Sequence, residues 1–281
     1  NSSIVFNGTE GDCTVDCHYF AINYVDYRYT CKSFAEALET AKDGETIVLL
    51  ADLTTDATLV VKEKKVTLDL NGKTLKNKKE NTATDVIVVA EGATLTINGE
   101  GTIEAVTGND GYAVISEGTV VINGGTFKAG VDVDGAANAV GYARNNGKVY
   151  VNGGNFPNEY NSTFVLNKKD ADRATTTIEV RGGKFYNFNP ANNAAEGANT
   201  NFCAEGYVSV ANGEWFDVIF VEQAVVATTA EEFAAAITAN DKQINIVLNN
   251  DIDVAISSLG QITGGSGEYK LGGEATEAIT I

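Results

Sequence analysis

The stretch VVINGGTF, residues 120–127, returns one repeat later as VYVNGGNF, residues 149–156. Related phrases flank these two: LDLNGKTL (68–75), LTINGEGTI (95–103) and IEVRGGKF (178–185). Self-similarity at a period of roughly 20–50 residues is the sequence signature of stacked structural repeats. Here the spacings are 27, 25, 29 and 29, counted between the residues before the first glycine of each phrase, which are Asn71, Asn98, Asn123, Asn152 and Arg181.

Each phrase predicts a strand, a corner and a second strand. Apolar residues alternate with polar ones ahead of the glycine, as in Val149-Tyr150-Val151, which is typical of a strand with one buried face. Asn-Gly or Gly-Gly then forms a sharp corner, because both residues tolerate positive φ. We expect the asparagines, with Arg181, to form a ladder at the corner. A second column should stack inside the coil: Leu75, Ile103, Phe127, Phe156 and Phe185.

Further short strands precede several phrases, for example DVIVV (85–89) and YAVIS (112–116). Each repeat therefore holds two or three short strands separated by tight corners. One such unit cannot bury its apolar face alone, but stacking supplies the missing surface. We predict an all-β fold, a right-handed parallel β-helix. Because Asn-Gly between strands also favours hairpins, an antiparallel β-sandwich is the alternative.

Two segments predict a capping helix followed by a strand. In residues 33–54, Ser33 and Glu36 fit the S-x-x-E capping box, and the same pattern returns at 229–254 with Thr229 and Glu232. A helix over the open end of a solenoid covers its apolar floor. We therefore predict an N-terminal extension rich in Cys and Tyr (1–32), a β-helix unit (33–226), and the start of a second, truncated unit (227–281).

The capping helix, the LDLNGKTL, NGGTF and NGGNF phrases and the later AEGY (204–207) resemble the pectin-lyase-like right-handed β-helix proteins. More narrowly, they are similar to multi-unit extracellular proteins of gut bacteria and their phages. The resemblance covers most of residues 33–281. It implies an extracellular place, on a cell surface or a virion. For a lyase, it would imply acidic residues holding calcium beside an Arg or Lys base.

The composition excludes some partners. A net charge of −18 argues against nucleic acid, whose binding needs clustered Lys and Arg. No apolar run approaches the ~18 residues of a membrane span, so we expect no membrane insertion. The chain has no Met and ends in mid-pattern at EAITI, which suggests a processed fragment of a longer protein.

The sequence favours a protein that is not an enzyme. Acids on adjacent repeats, facing outward, would support a polysaccharide lyase or hydrolase. Only Asp69 and Glu179 are acidic among the outward positions, and they are several repeats apart. The single histidine, His18, lies outside the repeats, which argues against histidine acid–base chemistry there. We expect no catalytic residues and no obligatory cofactor.

Two features leave alternatives open. Asp132 and Asp134 in VDVDGAAN (131–138) are acids at a loop, so calcium binding is one interpretation and a solvated acidic loop the other. Cys13, Cys17 and Cys31 cluster near the N-terminus, and Cys203 lies far along the chain. Disulfides, free thiols or a metal site built with His18 all fit this spacing.

Aromatic residues give the strongest functional signal. Exposed aromatic side chains can stack on sugar rings, so a carbohydrate-binding surface is one interpretation. The other interpretation is that these side chains pack into the caps and loops. The predicted function is a non-catalytic extracellular scaffold, a bacterial adhesin or a phage fibre or decoration protein. Its partner would be a glycan or a host-surface protein, and a phage fibre would be a homotrimer. The candidate ligand-binding residues are Tyr112, Tyr142, Tyr150, Tyr186 and Phe188.

Overall fold

The repeats form a parallel β-helix in which each coil supplies one short strand to each of three sheets. The structure, a computed structural model, describes residues 20–22, 30–78, 85–106, 111–129, 140–220, 224–227, 229–238, 245–248, 261–265 and 268–272. Sheet 1 contains, in spatial order, β2 (Thr30–Cys31), β1 (Phe20–Ile22), β3 (Thr46–Leu49), β6 (Lys65–Asp69), β9 (Thr94–Asn98), β12 (Thr119–Ile122), β15 (Lys148–Val151) and β18 (Thr177–Val180).

Sheets 2 and 3 follow the same coils. Sheet 2 contains β4 (Leu53–Thr55), β7 (Lys73–Asn77), β10 (Gly101–Glu104), β13 (Thr126–Lys128), β16 (Asn155–Phe156), β19 (Lys184–Tyr186), β21 (Trp215–Phe220) and β20 (Tyr207–Asn212). Sheet 3 contains β5 (Leu59–Val61), β8 (Ile87–Val89), β11 (Val114–Ser116), β14 (Gly141–Ala143) and β17 (Leu166–Lys168). A short 3₁₀ helix spans Asp170–Asp172.

Parallel pairing between equivalent strands confirms the β-helix and shows that the β-sandwich alternative is wrong. Thr67 lies beside Thr96, which lies beside Val121, each pair one coil apart. The predicted inner column is also confirmed: Leu75 pairs with Ile103 and Ile103 with Phe127, while Phe156 pairs with Phe185. These side chains are all at most 1% exposed, so the column fills the centre of the solenoid.

The repeated Gly-Gly has two separate physical causes. The first glycine lies against the backbone of the previous coil: a Cβ on Gly153 would stand 2.5 Å from the Asn123 carbonyl oxygen. The second glycine has positive φ, for example 100° at Gly154 and 103° at Gly183, a conformation that L side chains rarely adopt. Any other residue at either position would push the coils apart or strain the corner.

The asparagine ladder spans three corners but does not include Asn71. The Asn123 amide donates to Asn98 Oδ1 (2.8 Å), and the Asn152 amide donates to Asn123 Oδ1 (2.9 Å). In register, it is Asp69 that lies beside Asn98. Asn71 instead lies in the turn with φ 48° and donates to the Leu49 carbonyl (3.1 Å). The placement of Asn71 in the ladder was therefore wrong.

The N-terminal end of the solenoid is covered by α1 (Phe34–Thr40) and by antiparallel strands. The Ser33 hydroxyl accepts from the Glu36 amide (3.2 Å), as the capping box predicts, whereas the Glu36 carboxylate accepts from the Lys32 amide (2.7 Å). From the predicted extension, β1 and β2 join sheet 1, where β1 pairs antiparallel with β3. The Lys64 ammonium donates to the Glu39 (2.8 Å) and Ala41 (2.6 Å) carbonyls and to the Leu38 carbonyl at the end of α1.

At the other end, β20 and β21 form a hairpin that pairs antiparallel with β19. Beyond it, β22 (Ala224–Ala227), α2 (Ala230–Thr238) and β23 (Asn245–Leu248) follow, with β22 and β23 parallel. The capping box of α2 is complete, because Thr229 and Glu232 each accept from the other's backbone amide at 3.2 Å. A second hairpin joins β24 (Gln261–Gly265) and β25 (Glu268–Gly272).

Candidate functional site

Tyr112 and Tyr142 form a stacked pair on the outer side of sheet 3. Their ring centroids are 4.8 Å apart and their planes differ by 11°. Tyr142 occupies the outward position of β14, and Tyr112 stands just before β11. Tyr142 is paired in register with Ile115 of the preceding coil, so the Tyr112 ring meets it from three residues before that position. Both rings are partly exposed.

A partly buried carboxylate, Asp85, lies beside this pair. Asp85 accepts a hydrogen bond from the Tyr112 backbone amide (2.9 Å). Burial raises the pKa of Asp85 above its usual value, although the hydrogen bond from Tyr112 and the charge of Arg144 act in the opposite direction. Burial and the neighbouring Tyr112 raise the pKa of Tyr142 as well. The Tyr142 hydroxyl therefore stays protonated at neutral pH.

Tyr150 lies on the outer side of sheet 1, where Arg181 partly covers it. The Arg181 guanidinium carbon is 5.8 Å from the centre of the Tyr150 ring, a cation–π arrangement. Arg181 also forms an ion pair with Glu179, which is adjacent to Tyr150 in register. Tyr150, Glu179 and Arg181 therefore interact with one another, and the Arg181 guanidinium covers one face of the Tyr150 ring.

Tyr186 meets Trp215 on the outer side of sheet 2. The two residues are opposite each other on β19 and β21, with centroids 5.3 Å apart and planes at 63°. The Tyr186 hydroxyl donates to Glu214 Oε2 at 2.6 Å. This hydrogen bond, more than desolvation or charge, raises the pKa of Tyr186. Both rings are partly exposed, and Glu214 is exposed.

Phe188 does not belong to any outer surface. It is only 4% exposed and packs against Phe185, with ring centroids 6.0 Å apart. The turn after β19 returns the chain toward the interior, so Phe188 extends the inner column. Its assignment as a ligand-binding residue was therefore wrong.

An acid–arginine network crosses three successive coils and was missed by the sequence analysis. Glu117 Oε1 accepts from Arg144 Nε (2.7 Å) and from the Asn145 amide nitrogen (3.0 Å). The Asn145 backbone amide donates to Asp172 Oδ2 (2.8 Å). Nearby, Arg173 Nε pairs with Glu196 Oε2 at 2.6 Å. The network lies at the corner between sheets 3 and 1, whereas the sequence search considered only the outward positions of sheet 1.

Several predicted sites lie outside the described residues, namely Asp132, Asp134, Cys13 and Cys17. Cys31 is a buried free thiol whose pKa is raised, chiefly by burial. Cys203 is also a free thiol, and burial raises its pKa to about 12. Within the described ranges, His, Cys, Asp and Glu side chains form no group of three or more that is placed to hold a metal ion.

Comparison of the chain with protein-family models, curated proteins and solved structures finds no match. The resemblance to pectin-lyase-like proteins therefore stays a prediction, and any function has to be argued from the geometry above. In the part of the chain that the structure describes, no helix combines the length and the apolar character needed to cross a membrane.

The sequence analysis identified tyrosines but missed the residues that complete their surroundings. Trp215 and Glu214 were missed as ligand candidates because they follow the repeats and carry no repeat signature. The alternation in EWFDVIF (214–220) was the available signal, since it places Trp215 and Asp217 on one face of a strand and Phe216 and Val218 on the other.

Proposed function

We propose that this chain is a non-catalytic extracellular interaction scaffold that binds glycans, as a bacterial surface adhesin or as a phage fibre or decoration protein. One observation carries the proposal: partly exposed aromatic side chains stand at outward strand positions of all three sheets. Tyr142 lies on sheet 3, Tyr150 on sheet 1, and Tyr186 with Trp215 on sheet 2. Aromatic rings with polar edges are suited to the mixed apolar and hydroxylated surface of a sugar.

The scaffold favours this role physically. The inner column and the corner ladder fix the position of each strand, so the outward side chains are held on rigid elements rather than on loops. A rigid presentation reduces the entropy lost on binding, which matters for a ligand that offers few contacts. The extracellular location comes from the resemblance alone, as does the choice between a cell surface and a virion.

One specific observation favours a second candidate, a polysaccharide lyase or hydrolase. Glu117, Arg144 and Asp172 place carboxylates and a guanidinium on three successive coils. However, Glu117 is bonded to Arg144, and Asp172 to the Asn145 amide, so these carboxylates already have partners within the network. Catalysis would require a substrate to replace those partners. The non-catalytic proposal requires no such exchange.

The test uses immobilised plant, mucin and bacterial polysaccharides, with and without calcium. Retention of the protein and appearance of new reducing or unsaturated ends are measured in the same wells. We expect retention without cleavage. Cleavage would overturn the scaffold proposal in favour of the enzyme, and Arg144→Ala would then be the first variant to assay. Absence of both would overturn the glycan proposal. Sedimentation of the same sample separates a trimeric fibre from a monomeric adhesin.

A further inference from the structure

The end of the β-helix holds a corner of two partly exposed aromatic rings, Tyr186 and Trp215. On β19 and β21, buried and outward residues alternate: Phe185 and Phe216 face the core, whereas Tyr186 and Trp215 face outward. The two outward rings meet edge to face at 63° rather than in a parallel stack. A T-shaped pair forms an open angle between two ring planes.

The rim of this corner carries hydrogen-bond acceptors. Glu214 is exposed and uses one oxygen to fix the Tyr186 hydroxyl at 2.6 Å. A carboxylate can accept about four hydrogen bonds, so Glu214 retains the capacity to accept from hydroxyl groups of a ligand. Asn212, directly across the strand pair from Trp215, is exposed and offers both donors and an acceptor. Apolar ring and polar rim are therefore adjacent, as recognition of a sugar ring requires.

The charges near the corner limit which sugar it accepts. Its carboxylates are Glu214 and Asp217, and the base on these strands, Lys184, has its Nζ 3.7 Å from Asp217 Oδ1. The whole chain carries a net charge of −18. A uronate or a sulfated sugar would meet uncompensated negative charge here, whereas hydroxyl groups donate favourably to a carboxylate.

Three other aromatic groups fit a neutral sugar less well. Tyr207, which meets Phe220 at 60°, is partly buried against the core, and Phe220 has no polar edge. Tyr112 and Tyr142 cover each other's faces at 4.8 Å, which leaves no space for a ring between them. Arg181 covers Tyr150. We propose that Trp215, Tyr186 and Glu214 form a subsite for an uncharged sugar residue of a neutral polysaccharide. The sugar's C–H face would stack on Trp215 and its hydroxyl groups would donate to Glu214. The inference rests on the proposed function, because it names the site and the ligand class of the same glycan binding.

The chain contains one tryptophan, so its fluorescence reports this site directly. The full chain is titrated with oligosaccharides of galactomannan and arabinogalactan, which are neutral, and of polygalacturonate, which is acidic. We expect saturable changes in Trp215 emission with a neutral glycan and none with the acidic one. Retention on the immobilised polysaccharides is measured in parallel.

Variants assign the contacts. Glu214→Gln and Tyr186→Phe should each weaken neutral-glycan binding on the order of tenfold, because each disturbs a hydrogen bond that involves the carboxylate. Phe164→Ala and Phe220→Ala are controls that should leave affinity within about twofold, since both side chains are exposed and neither lies in the corner. Circular dichroism checks that each variant keeps the β-helix.

The outcomes separate the two proposals. Retention of a glycan with unchanged Trp215 emission, or with full affinity in both corner variants, would overturn this subsite and leave the proposed function standing. Equal binding of polygalacturonate would overturn the assignment to a neutral sugar. If wild-type protein retained no glycan and its emission never changed, both proposals would fall.

Discussion

Replacing Phe156 by alanine would remove the middle ring from a stack of three phenylalanines inside the β-helix. Phe156 is fully buried. Its centroid lies 5.4 Å from that of Phe127, with planes at 15°, and 4.5 Å from that of Phe185, with planes at 2°. The change therefore leaves a cavity between two rings that belong to the neighbouring coils, and the column loses continuity at that point.

The magnitude follows from two contributions. A buried Phe→Ala change destabilises a protein by about 3–5 kcal/mol, which includes the cavity left behind. Each stacked aromatic pair adds about 0.5–1.5 kcal/mol beyond area burial, and two pairs are lost here. We therefore expect a loss of about 4 kcal/mol or more, a large part of the roughly 5–15 kcal/mol that stabilises a typical domain.

Urea unfolding followed by two probes measures this effect. Far-ultraviolet circular dichroism reports all coils, whereas fluorescence of Trp215 reports the last strands of sheet 2. Because each coil of a solenoid contacts only its neighbours, a break at Phe156 should uncouple the coils beyond it. Trp215 fluorescence should then change at lower urea than circular dichroism does, whereas both transitions should coincide in the wild type.

Phe164→Ala is the matched control, because Phe164 is 45% exposed and its truncation should change stability by no more than about 0.5 kcal/mol. The reasoning would be refuted if Phe156→Ala lowered the unfolding free energy by less than about 1 kcal/mol. It would also be refuted if the two variants were indistinguishable.

Three further predictions concern single side chains. Lys64→Met should destabilise the N-terminal cap by about 1–2 kcal/mol, because the ammonium donates hydrogen bonds to carbonyls at the end of α1. Hydrogen exchange of residues 34–40 should become faster in this variant but not in Lys62→Met, the control at an exposed lysine. Asp85 has a raised folded-state pKa, so its contribution to stability is present below the unfolded-state pKa and is lost as pH rises through the folded-state value. Asp85→Asn keeps the acceptor for the Tyr112 amide without the buried charge, so its melting temperature should exceed that of wild type at pH 7 and match it at pH 3; a lower value at pH 7 would contradict the burial argument. Cys203 has a pKa of about 12, so its alkylation at pH 8 should be slower in the native protein than in urea, on the order of a hundredfold or more. Mass spectrometry of the Cys203 peptide measures both rates, and equal rates would mean that the thiol is accessible.

The inner column could be predicted from the sequence because it depends on spacing within one phrase. Phe127, Phe156 and Phe185 each stand four residues after the corner Asn or Arg, and the structure stacks them. Alternation of apolar and polar residues fixes which face of a strand is buried, and a parallel register then aligns equal positions. The fold could therefore be predicted without knowledge of the contacts between distant segments.

The corner ladder depends on corner length, which the repeat does not fix. The corner takes three residues from Asn123 to Thr126, whereas the register positions two coils earlier, Asp69 and Thr74, are five apart. The first corner is thus two residues longer. Counting back from the glycine selected Asn71, although the position in the ladder column belongs to Asp69. An insertion inside a turn changes no hydrophobic pattern, so periodicity could not reveal it.

The candidate binding corner could not be predicted from repeats because it exists where the repeat stops. In the parallel part, Tyr112 and Tyr142 of successive coils stack at 4.8 Å, so each ring covers one face of the other. The hairpin of β20 and β21 ends the parallel pairing and brings Trp215 beside Tyr186 at 63°. The proposed sugar site is then a consequence of terminating the solenoid, which places it at the end of the β-helix rather than along its length.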